Sequence, residues 1–170
     1  MIKRQTIRIL LINQENRLLL MRAVDPTTTG MDRVARAAFW CTIGGKIEEG
    51  ETLEQAAARE LYEETGFTME DVALGPIVWY GRHEMIISGR HIELYEKFIV
   101  GSLKSNKQVS HHNFTDNEKS VVTNAAWLSL DEIINHIEPI FPIILKTKLA
   151  DILNKNYPLE PEWVDLALQT

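Results

Sequence analysis

The sequence contains a single cysteine, Cys41, among 170 residues, and this scarcity excludes an intramolecular disulfide framework. It also lacks any continuous apolar run near the roughly 18 residues that a membrane-spanning helix requires. The amino terminus, Met1 to Gln5, has no long apolar core before a cleavage site. These absences predict a cytoplasmic protein, and Cys41 is expected to be a packed small residue and not a reactive thiol.

The sequence also has no excess of positive charge. It carries 18 basic against 24 acidic residues, which gives a formal net charge of -6. No overall field would attract a polyanion, so we expect neither nucleic acid nor a membrane as a partner. An anionic small-molecule substrate would need positive charge close to it, from a metal ion or from arginine.

Internal repeats, low-complexity segments and a second-domain linker are absent as well. A chain of 170 residues with 45% hydrophobic content has the size and composition of one domain with its own core. The sequence therefore predicts a single domain over residues 1–170.

Alternating apolar and polar segments predict a fold that mixes strands and helices, of the α/β or α+β class. Ile7 to Ile12 and Leu18 to Met21 flank a polar cluster, which predicts a hairpin. Arg22 to Ala38 is predicted to be a long loop. Further strands are expected at Ile77 to Tyr80, Met85 to Ile87 and His91 to Val100.

The second half of the chain is predicted to hold another loop and two helices. Gly101 to Thr123 is polar and is expected to be a loop near the site. Ser129 with Glu132 forms a capping-box pattern that starts a helix toward Ile137. A further helix is expected to end near Asn154, and Pro158 to Thr170 is predicted to be irregular.

The segment after Gly50 carries strong signals for a helix. Thr52 and Gln55 form a capping box at its start, and Gly66 marks its end. An apolar stripe for packing recurs at every fourth residue, through Leu53, Ala57 and Leu61.

Three glutamates lie off that apolar stripe, at Glu60, Glu63 and Glu64. Their spacing of i, i+3 and i+4 places them on one face of the helix, where unpaired carboxylates would repel one another. A hard divalent cation would relieve this repulsion, and oxygen ligands suit Mg²⁺, with Mn²⁺ as the natural substitute. The sequence therefore predicts a metal site.

The segment from Gly45 to Phe67 follows one complete pattern: Gly45, five residues, Glu51, seven residues, Arg59-Glu60-Leu61, one residue, Glu63-Glu64, one residue, Gly66-Phe67. This pattern is similar to the Nudix box at every specified position, so the chain resembles the Nudix hydrolases. The resemblance implies a Nudix-type α/β/α sandwich with a mixed β-sheet. It also implies a metal-dependent enzyme that cleaves the pyrophosphate linkage of a nucleoside diphosphate derivative. Many members of that family dimerise, so a homodimer is an option that the resemblance leaves open.

The same resemblance implies roles for the residues of the box. Glu63 and Glu64 would be metal ligands, Glu60 would be a ligand or the general base, and the backbone carbonyl of Gly44 would complete the metal shell. Arg59 would form a bidentate ion pair with Glu51 that holds the loop and the helix in register. The catalytic set implied by the resemblance is therefore Glu51, Arg59, Glu60 and Glu63.

The chain departs from the common form of the family at Ile43, where a proline often precedes the two glycines. Several Nudix enzymes also use a further glutamate from outside the box. Glu118 is the preferred candidate for that additional acid, with Glu93 and Glu96 as alternatives, and a solvated loop carboxylate is the other interpretation of Glu118. These two fall on opposite faces of a predicted strand, so at most one of them faces the site.

Aromatic and basic residues outside the box are candidates for substrate binding, the aromatics by stacking on a base and the arginines by contacting phosphate. Core packing is the alternative role for the aromatics. The candidates are Arg22, Phe39, Trp40, Trp79 and Arg82, with Tyr80, Arg33 and Arg36 as further options.

The box leaves the substrate open among a nucleoside triphosphate, ADP-ribose, a nucleotide sugar and a dinucleoside polyphosphate. A Nudix-fold domain that binds nucleotides or regulates without catalysis is one alternative. A second is isomerase chemistry on an isoprenyl diphosphate, for which Cys41 alone is a thin basis. The complete set of Arg59 and the three glutamates favours hydrolysis over both.

Overall fold

A computed structural model describes residues 1–166 of the chain. Within that part, the strands form one mixed sheet and the helices are interspersed among them. The strands are β1 (Ile2–Ile12), β2 (Leu18–Ala23), β3 (Thr28–Thr29), β4 (Phe39–Lys46), β5 (Val72–Ile87), β6 (Arg90–Leu103), β7 (Val122–Leu128), β8 (Ile140–Phe141) and β9 (Glu162–Val164). The helices are α1 (Leu53–Thr65), α2 (Asp116–Val121), α3 (Leu130–Ile134) and α4 (Leu145–Leu153).

Strand β1 lies in the middle of the sheet and organises it. It pairs in parallel with β6 and antiparallel with both β2 and β4. The main order of the sheet is β3-β5-β6-β1-β2-β4-β8, while β7 pairs with β2 and β9 pairs with β5. The hairpin predicted for the first two strands is confirmed by the pairing of Ile12 with Leu18.

The two faces of the sheet are covered by different helices, because successive side chains of a strand point to opposite faces. Ile7 and Ile9 of β1 pack in a buried cluster with Leu61 of α1. Leu10, from the same strand, packs in a second cluster with Leu149 of α4. Helices therefore lie on both faces, and the predicted sandwich with a mixed sheet is confirmed.

Helix α1 begins and ends where the local sequence predicts. The hydroxyl of Thr52 accepts a 3.1 Å hydrogen bond from the backbone N–H of Gln55, and the Gln55 side chain accepts one of 2.9 Å in return. Gly66 ends the helix with φ of 76°, in the left-handed region that favours glycine. These local contacts fix the orientation of the glutamate-bearing face.

Several predicted loops contain regular structure that only distant pairing creates. The first loop contains β3, which pairs with β5, and the polar segment after Gly101 contains the end of β6 and all of α2. The predicted irregular tail contains β9, which pairs in parallel with β5, while residues 167–170 of that prediction lie outside the described residues. The two strands predicted around Tyr80 and Ile87 form one continuous strand, β5.

Helices α3 and α4 end at or before their predicted limits. Helix α3 has the predicted capping box but ends at Ile134, before the expected limit of Ile137. Helix α4 ends at Leu153, next to the predicted end at Asn154. Among residues 1–166, none of the helices combines the length and the apolar character needed to cross a membrane.

Candidate active site

Three glutamates from two helices converge at the centre of the candidate site. Glu60 and Glu64 lie on α1, with exposed fractions of 5% and 8%, and Glu118 lies on α2. Each offers one carboxylate oxygen, and these three oxygens lie within 4.8 Å of one another. We call Glu60, Glu64 and Glu118 the carboxylate cluster.

The segment that precedes α2 is tied to the end of α1, which brings Glu118 to this position. The backbone N–H of Ser110 donates a 2.8 Å hydrogen bond to the carbonyl of Thr65, and the Lys107 ammonium donates one of 2.8 Å to the carbonyl of Gly66. Glu118 is then oriented by its own capping box, because its carboxylate accepts a 2.7 Å hydrogen bond from the Thr115 N–H. The expectation that Glu118 lies in an irregular loop is therefore replaced by a short capped helix.

The two glycines at the end of β4 allow the backbone to approach the carboxylate cluster. The N–H of Gly44 donates a 2.7 Å hydrogen bond to Oε2 of Glu64. Gly44 has φ of 135°, and a β-carbon there would collide with the backbone of Ile7. A β-carbon at Gly45 would collide with the carboxylate of Glu60. Both positions therefore require glycine.

Burial disfavours the ionised forms of two carboxylates of the cluster. Burial, chiefly, and then the neighbouring Glu60 raise the pKa of Glu64 well above its usual value, against the effects of Gly44 and Arg8. Burial also raises the pKa of Glu60, against the effect of Arg59. A bound divalent ion would favour the ionised forms, and three carboxylates suit a hard cation. The three carboxylates therefore fit the predicted ion, Mg²⁺ or Mn²⁺.

Arg59 connects the glycine loop to α1 through a bidentate ion pair. Its Nε donates to Oε1 of Glu51 at 2.7 Å and its Nη2 donates to Oε2 at 2.9 Å. Nη2 also donates to the carbonyl of Lys46 at 2.9 Å, and Nη1 donates to Glu60 at 2.8 Å. Hydrogen bonding from Arg59 lowers the pKa of Glu51 to about 2. The predicted partnership between Arg59 and Glu51 is present in the structure.

Glu63 occupies a different position from the other two glutamates of the box. Its Oε2 accepts a 3.3 Å hydrogen bond from Nη1 of Arg59, and its side chain is 26% exposed. Glu63 lines the same cavity but is not a member of the carboxylate cluster. The carbonyl of Gly44 accepts a 3.4 Å hydrogen bond from Arg8. Metal ligation by Glu63 and by the Gly44 carbonyl remains a prediction.

A cavity of about 670 Å³ opens beside the carboxylate cluster. This volume lies in the range of pockets that hold small molecules and cofactors. Glu60, Glu64 and Glu118 contribute the acidic part of its lining. Another part is apolar, and it comes from Phe39, Met85, Leu94, Phe141, Pro142 and Leu166.

Of the five residues first proposed for substrate binding, the described lining of the cavity includes Phe39 alone. Its ring makes an edge contact with Phe141 at a centroid distance of 5.9 Å. Arg36, one of the further options, also lines the cavity and places its guanidinium 5.5 Å from the centroid of the Phe141 ring. These residues form an aromatic surface next to a cation.

The structure does not bring the other four candidates to the cavity. Trp79 is 1% exposed and packs in the core against Phe98. Arg22 and Trp40 both donate hydrogen bonds to the carboxylate of Glu138, at 2.9 to 3.2 Å. Arg82 pairs with the carboxylate of Glu93. Packing and ion pairing account for these four side chains.

Two arginines of β1 line the cavity but were not among the predicted site residues. Nε of Arg8 donates a 2.8 Å hydrogen bond to Oε1 of Glu96, and Arg4 lies in the lining with a buried Nε that has no partner among the described residues. The alternation of Arg4, Thr6 and Arg8 was the available signal, because alternate residues of a strand share a face. The predicted strand begins at Ile7, so it includes Arg8 but not Arg4 and Thr6, and the alternation of the three is not visible within it.

The alternative acids on β6 face opposite sides of the sheet, as their spacing predicts. Glu96 lines the cavity, whereas Glu93 is not part of the described lining. Cys41 also lines the cavity. Burial, opposed by Arg8, raises the pKa of the Cys41 thiol to about 11. This shift favours the protonated thiol near neutral pH, and the unreactive cysteine stays a prediction, since Cys41 is only partly buried.

The chain is similar to a known protein family over most of its length. The NUDIX domain family matches residues 2–146. A 34-residue segment is 56% identical to the oxidized purine nucleoside triphosphate hydrolase of Danio rerio. That match covers 20% of this chain and 22% of the relative, so it spans about a fifth of the relative's length.

Solved structures share the fold over most of the chain. A NUDIX hydrolase from Nitrosomonas europaea is 22% identical, with a TM-score of 0.60 and coverage of 92% of this chain and 93% of that one. The MutT protein of Methanosarcina mazei Go1 is 21% identical, with a TM-score of 0.58 and coverage of 91% and 96%. The Ap4A hydrolase of C. elegans is 18% identical, with a TM-score of 0.57 and coverage of 90% and 94%. At these identities the likeness establishes the fold alone.

Proposed function

The chain belongs to the Nudix family, and we propose that it is a metal-dependent pyrophosphohydrolase acting on a nucleoside diphosphate derivative. The observation that carries this proposal is the carboxylate cluster beside the cavity, in which three carboxylate oxygens lie within 4.8 Å of one another. A cavity of about 670 Å³ next to that cluster has room for a nucleotide. The proposed partner is therefore a small molecule.

Glu60, Glu64 and Glu118 would hold Mg²⁺, or Mn²⁺ in its place, and Glu63 and the Gly44 carbonyl are the further predicted ligands. Such an ion, when bound, supplies a water of lowered pKa and neutralises charge on phosphoryl oxygens. The protein's contribution is to hold the carboxylates together against their repulsion. The hydrogen bond from Gly44 and the ion pair of Arg59 perform this task for Glu64 and Glu60 respectively.

Proton transfer from the attacking water requires a carboxylate within hydrogen-bond reach of it. Glu60 has a pKa raised by burial, which makes its carboxylate more basic than an exposed one. Glu63 is the other candidate from the box, and it is more exposed. We propose Glu60 as a ligand or as the base, and Arg59 and Glu51 as residues that position it.

Outside the proposed metal site, the positive charge that meets an anionic substrate would come from arginine. Arg4 and Arg8 lie on the same face of β1 and line the cavity, as does Arg36. Arg8 is already paired with Glu96, while the buried Nε of Arg4 has no partner among the described residues. Arg4 is therefore the arginine best suited to donate to an anionic part of the substrate.

The proposed substrate classes remain a nucleoside triphosphate, ADP-ribose, a nucleotide sugar and a dinucleoside polyphosphate. The aromatic surface of Phe39 and Phe141 supports a nucleoside, because a base can stack on it. The name of the Danio rerio relative adds oxidised purine nucleoside triphosphates to the compounds that need testing. The match to that relative is too short to choose among them.

The test is magnesium-dependent turnover of a panel that contains all these compounds. The native protein is compared with Glu64→Gln, since glutamine can still accept the hydrogen bond from Gly44 but loses the charge. Glu54→Gln is the matched control, because Glu54 is an exposed glutamate of the same helix. We expect turnover of one class, abolished in Glu64→Gln and retained in Glu54→Gln. Circular dichroism and thermal melting of each variant check that it folds.

The competing proposal is a Nudix-fold domain that binds nucleotides or regulates without catalysis. It predicts no turnover of any compound, with nucleotide binding retained and unaffected by Glu64→Gln. The buried carboxylates argue against it, because burying repelling charges destabilises a fold that gains nothing from them. Turnover lost in Glu64→Gln would exclude this alternative.

Three further parts of the proposal concern the whole protein. We propose one domain over residues 1–170, a cytoplasmic location and a homodimer as an assembly to be tested. Limited proteolysis would test the single domain, since a second domain would give a stable fragment. Light scattering would test the dimer, and fractionation of cells would test the location.

A further inference from the structure

The segment after α4 contributes a wall of the cavity, although it lies beyond residues 2–146 that match the family. Strand β9 pairs in parallel with β5, with Val164 opposite Gly81. Leu166 follows this strand, is 6% exposed, and belongs both to the buried core and to the lining of the cavity. A residue outside the matched domain therefore shapes the space in which the proposed substrate would lie.

Gly81 provides the room that the Leu166 side chain occupies. A β-carbon at Gly81 would overlap the Cγ and both Cδ atoms of Leu166. Glycine in the interior of a strand often marks a place where another group approaches closely. Gly81 on β5 and Leu166 on the C-terminal segment are thus complementary in shape.

The backbone of Leu166 is also held in place. Its carbonyl accepts a 3.2 Å hydrogen bond from the N–H of Ile143. Ile143 directly follows Phe141 and Pro142, which line the cavity, and Phe141 contacts Phe39. Leu166 therefore belongs to the apolar part of the lining and is fixed there by two neighbouring segments.

The charges of the lining indicate which part of a nucleotide would meet this apolar surface. Phosphates carry the negative charge, so they belong with a metal held by Glu60, Glu64 and Glu118 and with the arginines. The base is planar and largely apolar, and it suits the surface that contains Phe39, Phe141 and Leu166.

We propose that Leu166 is a specificity-determining residue that limits the size of the base the cavity accepts. This inference rests on the proposed hydrolysis of a nucleotide substrate. Leu166 acts on the choice of substrate and not on the chemical step, because it belongs to the apolar lining and not to the carboxylate cluster. The Gly81 position limits size indirectly, since it sets how far the leucine can withdraw from the cavity.

The test compares each nucleotide substrate with an analogue whose base is enlarged, 1,N6-etheno-adenine for adenine substrates and an 8-bromo base for guanine substrates. The measured quantity is the ratio of kcat/KM for the analogue to kcat/KM for the parent. Leu166→Ala is expected to raise this ratio about tenfold, since apolar pockets discriminate by roughly 10 to 200-fold per methylene. Because the ratio is formed within each variant, a general loss of activity cancels from it.

Val164→Ala is the matched control, because Val164 lies on the same segment and is buried in the same core but is not part of the described cavity lining. Both variants remove packing and should lower the melting temperature. Only Leu166→Ala should change the ratio. An equal change in both variants, or no change in Leu166→Ala, would overturn the inference.

Gly81→Ala provides a second test that does not remove the leucine. The added methyl group must displace Leu166, so the ratio should change in this variant. In the double variant Gly81→Ala with Leu166→Ala, the methyl group has no leucine to displace, and the ratio should match that of Leu166→Ala alone. Additive effects of the two substitutions would overturn the proposed coupling.

The failure of this inference can be distinguished from the failure of the proposed function. Native protein that turns over no nucleotide in the panel contradicts the proposed function. Native protein that is active, with an unaltered ratio in Leu166→Ala, contradicts the role of Leu166 and leaves the hydrolase assignment intact.

Discussion

Gly45 lies directly against the carboxylate of Glu60, with no space between them for a β-carbon. The two residues come from different elements, β4 and α1, and the cavity lies beside both. Arg59 holds the same carboxylate from the other direction through a 2.8 Å hydrogen bond. The position of Glu60 therefore depends on the loop, the helix and the ion pair together.

Gly45→Ala should impair the site without unfolding the protein. The new methyl group would displace the carboxylate of Glu60, and a displacement of about 1 Å in a catalytic group can cost roughly 100-fold in rate. The measurement is kcat on the best substrate at saturating Mg²⁺. Gly75→Ala is the control, because a β-carbon there would meet Val100 at an ordinary 3.5 Å. Equal activities of the two variants would show that the contact with Glu60 has no role.

Glu118→Gln should weaken metal binding and preserve α2. Glutamine at this position can still accept the hydrogen bond from Thr115, so the capping box survives while the negative charge is lost. We expect the affinity for Mn²⁺, measured by calorimetry, to fall roughly tenfold or more, because the affinity of oxygen sites depends on ligand charge. Asp116→Asn, an exposed change on the same helix, should leave the affinity unchanged. Unaltered affinity in Glu118→Gln would show that Glu118 is not a ligand of the proposed metal site.

The ion pair between Glu51 and Arg59 should contribute to stability in a defined range of pH. The pKa of Glu51 is lowered from 4.5 to about 2 in the folded protein, mainly by hydrogen bonding from Arg59. A lowered folded-state pKa gives stability that is present above about pH 4.5 and is lost as the pH falls toward 2. The melting temperature of Glu51→Gln should therefore depend less steeply on pH in this window than that of the native protein.

Glu49→Gln serves as the control for this comparison, because Glu49 is an exposed carboxylate of the same loop. It should keep the native dependence of the melting temperature on pH. If the melting temperatures of native protein and Glu51→Gln fall equally steeply between pH 4.5 and 2, the lowered pKa of Glu51 is contradicted.

Cys41 should react slowly with alkylating reagents in the folded protein. Its pKa is raised from 9.0 to about 11, so the thiolate fraction near pH 8 is about 100-fold lower than for an ordinary cysteine. Mass spectrometry of iodoacetamide-treated protein measures the rate directly, since the chain has a single cysteine. The urea-unfolded chain provides the reference rate. Similar rates for folded and unfolded protein would mean that the thiolate is accessible and the shift is wrong.

Trp79 and Phe39 should respond differently to substitution, although both were candidates for stacking on a base. Trp79 is buried in the core, so Trp79→Phe should destabilise the fold by roughly 1 to 3 kcal/mol and leave KM unchanged. Phe39 lines the cavity, so Phe39→Ala should raise KM about tenfold. Denaturant unfolding and steady-state kinetics on both variants make the comparison. A raised KM in folded Trp79→Phe would restore Trp79 as a substrate-binding residue.

The sequence was most informative where structure depends on residues close together in the chain. The limits of α1 follow from Thr52, Gln55 and Gly66, which act within one or two turns of the helix. The box likewise contains both partners of the Arg59–Glu51 ion pair, eight residues apart. Local spacing therefore identified the family, the helix and two of the three glutamates that the carboxylate cluster contains.

The sequence was less informative where the environment of a side chain depends on distant strands. Trp79 and Phe39 have similar chemistry, but one packs against Phe98 and the other lines the cavity. Glu93 and Glu96 could be placed on opposite faces, but only the arrangement of β1 and β6 shows that Glu96 meets Arg8. The sequence of a strand does not show which of its two faces will line a cavity.

The sequence by itself determined the mixed fold, the capped helix, the glutamates of the box and the family to which they belong. The tertiary structure decided that Glu118 joins Glu60 and Glu64, that Arg4 and Arg8 line the cavity, and that Leu166 closes part of it. The physical reason is that helix caps and i, i+4 spacing act over a few residues of one segment. A site built from separate strands and helices depends instead on sheet register and on packing between segments far apart in the chain.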